Sequence, residues 1–116
     1  MSQRLLLPTR DLVLAERLSA ATTLSRRLRG LIGTTLEQGE GLLLMPCKQV
    51  HTLGMRYAID VIFCDRDWVV VEVVRHMKPR RVGPVVWRAR CAIELPEGAA
   101  DQVKRGDRLV PDPDGL

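Results

Sequence analysis

In the stretch PCKQVHTLGMRYAIDVIF, residues 46–63, Cys47, His51 and Met55 stand four apart and Asp60 follows a few positions on. Thiolate, imidazole and thioether are ligands for a soft ion such as Cu(I), and a Cys/His pair also suits Zn. A spacing of four returns to the same face on a strand and nearly so on a helix. Gly54, however, interrupts regular structure before Met55. Structural zinc takes four ligands, and no paired motif supplies the others. No bound metal and no cofactor are expected, with Cys47 and His51 the weak ligand candidates. Cys47 with His51 also offers a nucleophile and a base. With Asp60 they form the candidate catalytic set if the protein is an enzyme. The structural alternative is a buried Cys, a hydrogen-bonded His and a core Met.

Asp60 lies in IDVIFC, where a carboxylate among apolar neighbours is costly unless partnered. An anchoring role is favoured over an acid or base, with His51, Thr52, Arg56 or backbone N–H groups as partners. A specific pairing follows if residues 48–53 and 58–63 are antiparallel strands joined by a turn at Gly54. Opposite residues then share a face, and His51 or Thr52 meets Asp60. His51, Thr52, Met55 and Asp60 are thus candidate binding residues.

The basic residues form two groups: Arg26, Arg27 and Arg29, and then Arg75, His76, Lys78, Arg80, Arg81, Arg88 and Arg90. The second group, chiefly Arg80, Arg81, Arg88 and Arg90, is a candidate site for phosphate or an acidic protein surface. Strand alternation puts Trp87 on the side opposite Arg88 and Arg90. Stacking platforms for single strands are then scarce, which disfavours nucleic acid.

These residues must be positioned by a chain of 116 residues, one domain in size. Residues 1–11 and 111–116 are expected to be its loose ends. Apolar residues make up 46% of the chain, and two Trp, one Tyr and one Phe leave an aliphatic core. A net charge of +4 favours acidic partners but falls short of a dedicated nucleic-acid binder. Three cysteines without CxxC argue against a disulfide framework and for reduced thiols in the cytoplasm. Arg4, Pro8, Arg10 and Asp11 interrupt the first apolar run, so no signal-peptide core is read there. No stretch reaches the ~20 apolar residues of a membrane span.

The spacing of apolar residues predicts a strand over residues 12–20. A helix follows from a cap at Thr22 or Thr23, with Leu24, Leu28, Leu31 and Ile32 on one face and Gly33 at its end. GLLLMP predicts a short strand stopped by Pro46. IDVIFC (59–64) and WVVVEVVR (68–75) predict a hairpin turned at Asp65-Arg66-Asp67. Residues 85–95 alternate, with Val85, Trp87, Ala89, Cys91, Ile93 and Leu95 on one face and Arg88, Arg90 and Glu94 on a wet one. PEGAADQVKRGD reads as a turn with one helical turn, before a last short strand near Leu109. The fold class is mainly β, a compact sandwich or barrel-like domain of short strands with one or two short helices.

Several pieces occur in a telling order: Arg29-Gly30-Leu31-Ile32, Gly41-Leu42-Leu43-Leu44, Cys47 with His51-Thr52 and Met55, Ile59-Asp60-Val61-Ile62-Phe63, Ala92-Ile93-Glu94-Leu95-Pro96-Glu97-Gly98, and Gly106-Asp107. Together, from about Ala20 to Val110, they resemble the bacterial and archaeal domain of unknown function 192 family. The resemblance implies a compact, mostly β fold of sandwich type and no defined activity. Residue 32 is Ile where the family usually has Met, which keeps an apolar role.

The leading expectation is a non-catalytic binding or accessory module acting on a protein or small-molecule ligand. The alternatives are a small enzyme or metal-binding protein built on Cys47, His51 and Asp60, and weak polyanion binding through residues 75–90. An enzyme needs those three residues to meet in one cleft.

Overall fold

The computed structural model describes residues 3–21 and 36–112. The expected helix of residues 22–33, with Arg26, Arg27 and Arg29, lies outside the described residues. The strands are β1 (Gln3–Leu7), β2 (Leu12–Ala21), β3 (Glu40–Leu44), β4 (Ile59–Cys64), β5 (Val70–Met77), β6 (Cys91–Pro96) and β7 (Val110–Asp112). They form one curled seven-stranded sheet in the order β5-β4-β6-β3-β2-β1-β7. The fold is mainly β and barrel-like, as the alternation of apolar residues predicts.

β2 and β3 pair in parallel, and the other neighbours are antiparallel. The two ends of the strand order are linked. Residues 106–109, which lead into β7, bond to the start of β5: Val70 N–H to Asp107 O and Gly106 N–H to Val70 O, each 2.8 Å, and Leu109 N–H to Trp68 O, 2.9 Å. This seam occupies backbone groups that an open edge strand would leave exposed.

The strands are held by what they bury on two faces. On one, Leu5, Leu7, Leu14, Leu18, Leu43, Ile62, Ile93, Leu95, Val103 and Leu109 pack together. On the other are Leu42, Leu44, Val50, Met55, Ile59, Val61, Phe63, Met77 and Ala92. Full burial of each such side chain is worth roughly 1.5–3 kcal/mol against exposure. β4 and β6, at the centre, are buried along their whole length.

Three expectations need correction. Gln3–Leu7 is a strand and not a loose end, because Leu5 and Leu7 are fully buried between β2 and β7. Residues 97–107 make successive turns without a helix, closed by Ala99 N–H to Pro96 O and Val103 N–H to Ala100 O, each 3.0 Å. The strand expected over 85–95 begins only at Cys91, and it has no wet face because β3 and β4 flank it and side chains cover both sides. Residues 85–90 turn away, leaving Trp87 exposed.

Candidate functional site

Asp60 is fully buried on β4. Its Oδ1 accepts the His76 N–H at 2.9 Å, and its Oδ2 accepts those of Gly98 at 3.0 Å and Ala100 at 2.9 Å. The carboxylate thus ties the end of β5 and the loop after β6 to the centre of the sheet. An acceptor with several lone pairs satisfies three backbone donors at once. Anchoring by backbone N–H groups is one of the partnerships its apolar setting predicts.

The pairing of Asp60 with His51 or Thr52 does not form, and residues 48–53 do not pair with 58–63. β4 has β5 on one side and β6 on the other, so no edge is open to them. His51 instead pairs with Val82. The Thr52 hydroxyl donates to Lys78 O and accepts the Arg81 N–H at 2.9 Å, clamping the turn after β5.

Cys47, His51, Met55 and Asp60 go to different surroundings. Met55 is buried with Val50 and Phe63, and Cys47 packs against the edge of that cluster, its thiol 3.2 Å from Gln49 O. His51 is exposed, its Nδ1 accepting the Leu53 N–H at 3.2 Å. Asp60 alternates with Ile59 and Val61 and faces the other cluster, beside Ala100. The sheet therefore lies between Asp60 and Cys47. Among the described residues no three His, Cys, Asp or Glu side chains are grouped as metal ligands.

A carboxyl group that the sequence places on a wet face is buried. Glu94 is 3% exposed, between Leu42 of β3 and Val61 of β4. Its Oε2 has no hydrogen-bond partner. Burial pushes its pKa up to about 7. No local signal marks it, because Arg88, Arg90 and Glu94 alternate like a solvent-facing row. Only the central position of β6 buries it.

The basic residues of 75–90 divide. Arg75 donates to Ala100 O and Val103 O. His76 Nδ1 lies 3.0 Å from Glu97 and Nε2 3.5 Å from Asp101, and the hydrogen bond to Glu97 raises its pKa above the ordinary histidine value. These two serve the loop after β6. Between β5 and the loop at residues 104–105 a groove of about 420 Å³ is lined by Glu72, Val73, Arg75, Lys104 and Arg105, with Arg105 paired to Glu72 at 2.8 Å.

Arg80, Arg81, Arg88 and Arg90 stay exposed on a different structure. Residues 48–52 and 80–86 run antiparallel as an irregular ribbon: Thr52 N–H to Arg81 O at 2.8 Å, Gly83 N–H to Val50 O at 2.9 Å and Val86 N–H to Lys48 O at 2.7 Å. Lys48 Nζ caps it by donating to Trp87 O and Ala89 O, each at 2.7 Å. Gly83 permits the close approach, since a Cβ there would stand 2.8 Å from Val50 O. Val50 and Thr52 point inward, which leaves His51 and Leu53 outward with Val82. Exposure reaches 46% at Leu53, 66% at Val82, 42% at Val85 and 77% at Trp87. Trp87 thus does not share a buried face with Cys91, as strand alternation predicts, but stands in solvent between Val86 and Arg88.

Fold and site together define a small curled-sheet domain with a buried carboxylate anchor and an exposed, Arg-flanked ribbon. The chain belongs to the domain of unknown function 192 family, described as an uncharacterized ACR, whose model matches residues 8–111. Two crystal structures share the fold. One is of a protein of unknown function from Novosphingobium aromaticivorans, at 22% identity and a TM-score of 0.72, covering 81% of this chain and 74% of that one. The other, from Sinorhizobium meliloti, is described as "a putative transcription regulator", at 21% identity and a TM-score of 0.74, covering 98% and 93%. No curated protein matches the chain. No helix among the described residues is long and apolar enough to cross a membrane.

Proposed function

We propose that the protein is a non-catalytic binding module whose contact surface is the ribbon of residues 48–52 and 80–86 with the adjoining Leu53 and residues 87–90. The observation that carries this is the run of exposed apolar side chains, Leu53, Val82, Val85 and Trp87, beside exposed Arg80, Arg81, Arg88 and Arg90. Apolar side chains gathered on a surface and rimmed by charge suit a protein contact. The guanidinium groups select a partner segment that carries Asp or Glu among apolar residues. A second copy of this chain would bring the same positive charge to the contact and be repelled. The divergence of Cys47, His51 and Asp60 supports binding over catalysis at that locus. The odd number of cysteines and the lack of a CxxC motif support a cytoplasmic setting.

The exposure of Trp87 beside Arg88 favours a second reading, single-stranded nucleic acid stacked on the indole. One aromatic among three aliphatic side chains makes this the weaker fit. Both readings are tested on the full chain by Trp87 fluorescence in a Trp68→Phe background. The probes are peptides alternating Glu with Leu or Phe, the same peptides with Ser for Glu, and a single-stranded oligonucleotide. Binding of the acidic peptides with a blue shift, weakened at least about tenfold by Val82→Glu with Leu53→Glu, is the expected result. Equal binding of the Ser peptides, or binding that survives both substitutions, overturns the module reading. Sub-micromolar binding of the oligonucleotide alone at physiological salt puts the nucleic-acid reading in its place.

A further inference from the structure

We propose that Cys64 and Cys91 form a redox modification site, closing into a disulfide in response to a small hydroperoxide. Cys64 is the last residue of β4 and Cys91 the first of β6, and the two are direct partners in the antiparallel ladder. Both side chains belong to the same buried cluster, so they lie on the same side of the sheet. Directly opposed residues have Cα atoms roughly 4.5–5.5 Å apart, within the roughly 4.4–6.8 Å that disulfides span. Their register therefore places the two cysteines within the Cα reach of a disulfide. Neither cysteine is in a disulfide in this structure. Cys47 packs against the opposite face and is not a competitor for either thiol.

The two thiols are unequal. The hydrogen bond between them, together with burial, pushes Cys64 up and keeps it protonated. Cys91 is lowered by that same hydrogen bond from Cys64 and by the Arg90 charge, which makes it the better thiolate. The pair is buried but sits at the end of its ladder. Cys64 adjoins the turn that starts at Asp65, and its carbonyl accepts the N–H of exposed Arg90 at 2.7 Å. Fraying of these terminal bonds admits a molecule the size of hydrogen peroxide without opening the sheet.

The chemistry balances in two steps. The Cys91 thiolate attacks one peroxide oxygen, the O–O bond breaks, and the leaving hydroxide takes up a proton as water, giving a sulfenic acid. The Cys64 sulfur then attacks the Cys91 sulfur, an S–S bond forms, and the sulfenic oxygen leaves as water with the Cys64 proton. Two thiols are oxidised, and one hydrogen peroxide is reduced to two waters. The product staples β4 to β6 and closes the loop 65–90, which contains β5 and one strand of the ribbon. This inference is independent of the binding proposal.

The test uses the full chain with Cys47→Ser, so that only this pair is titrated. Hydrogen peroxide at neutral pH should remove both thiols together, and intact mass should fall by two hydrogens. Peptide mapping should join Cys64 to Cys91 within one chain, and the oxidised protein should unfold at higher urea until dithiothreitol reverses it. In Cys64→Ala the same treatment should leave a Cys91 sulfenic acid that dimedone traps. If that variant does not fold, the Cys47→Ser measurement decides alone. Persistence of both thiols in the folded protein while the half-buried Met45 oxidises would overturn the site. So would conversion to sulfinic acids without a crosslink, or crosslinking only between chains.

Discussion

Asp60 and Glu94 are two buried carboxyl groups on neighbouring central strands, and they meet opposite fates. Asp60 pairs with Leu95 and Glu94 with Val61, so they are one register step apart and face opposite sides of the sheet. Asp60 receives three backbone N–H groups. Glu94 lies among apolar side chains with one oxygen unpartnered. Burial alone does not fix what a carboxylate contributes. On the Asp60 side the loop after β6 folds back with N–H groups to spare. On the Glu94 side the neighbouring strands have already paired their backbones and present mainly apolar side chains. One acid organises the fold, and the other burdens it whenever it ionises.

The comparison breaks most readily at Asp60. Asp60→Ala strands three backbone donors, that of Ala100 buried and those of His76 and Gly98 part-buried, and should cost on the order of 3–5 kcal/mol in urea unfolding at neutral pH. Asp60→Asn keeps one acceptor oxygen and should cost less. A loss below about 1 kcal/mol for the alanine variant would mean that the anchor does not hold the loop.

Glu94 should show the opposite sign, and only at higher pH. Its folded pKa of about 7 stands above the ordinary 4.5. Below the unfolded value both states are protonated and nothing is lost. Between about pH 4.5 and pH 7 the unfolded state releases the proton that the folded state keeps, so stability falls by about 3 kcal/mol across that interval and levels off once both states are ionised. Glu94→Gln should therefore gain on the parent protein between about pH 4.5 and pH 7 and keep a constant lead above that. Parallel stability curves for the two across that range would show that Glu94 is better solvated than its burial implies.

The smallest effect concerns the solvent-exposed end of the Asp60 network. His76 should titrate above an ordinary histidine by NMR, and Glu97→Gln should bring it down, with little change in stability. An unchanged His76 titration in Glu97→Gln would remove Glu97 as the cause.

Much of this molecule is legible along the chain. β2 follows from apolar alternation, β3 from a short apolar run stopped at Pro46, and the β4–β5 hairpin from β-branched apolar runs around turn residues at 65–67, because period and turn chemistry are local. Asp60 declares itself as an anchor, since an acid in IDVIFC must find donors. The identity of those donors was decided elsewhere. His76, Gly98 and Ala100 reach Asp60 only because β4 lies between β5 and β6, an order set by contacts distant in sequence. The same non-local order buries Glu94, whose alternation with Arg88 and Arg90 reads as a wet face, and brings Cys64 opposite Cys91. It also starts β6 only at Cys91, so that Trp87 stands in water and not in the core. Sequence by itself determined which segments extend and which residues need partners. Tertiary structure alone decided which strands are central, and hence which polar groups are buried and what meets them, because a strand's own pattern cannot report what covers its second face.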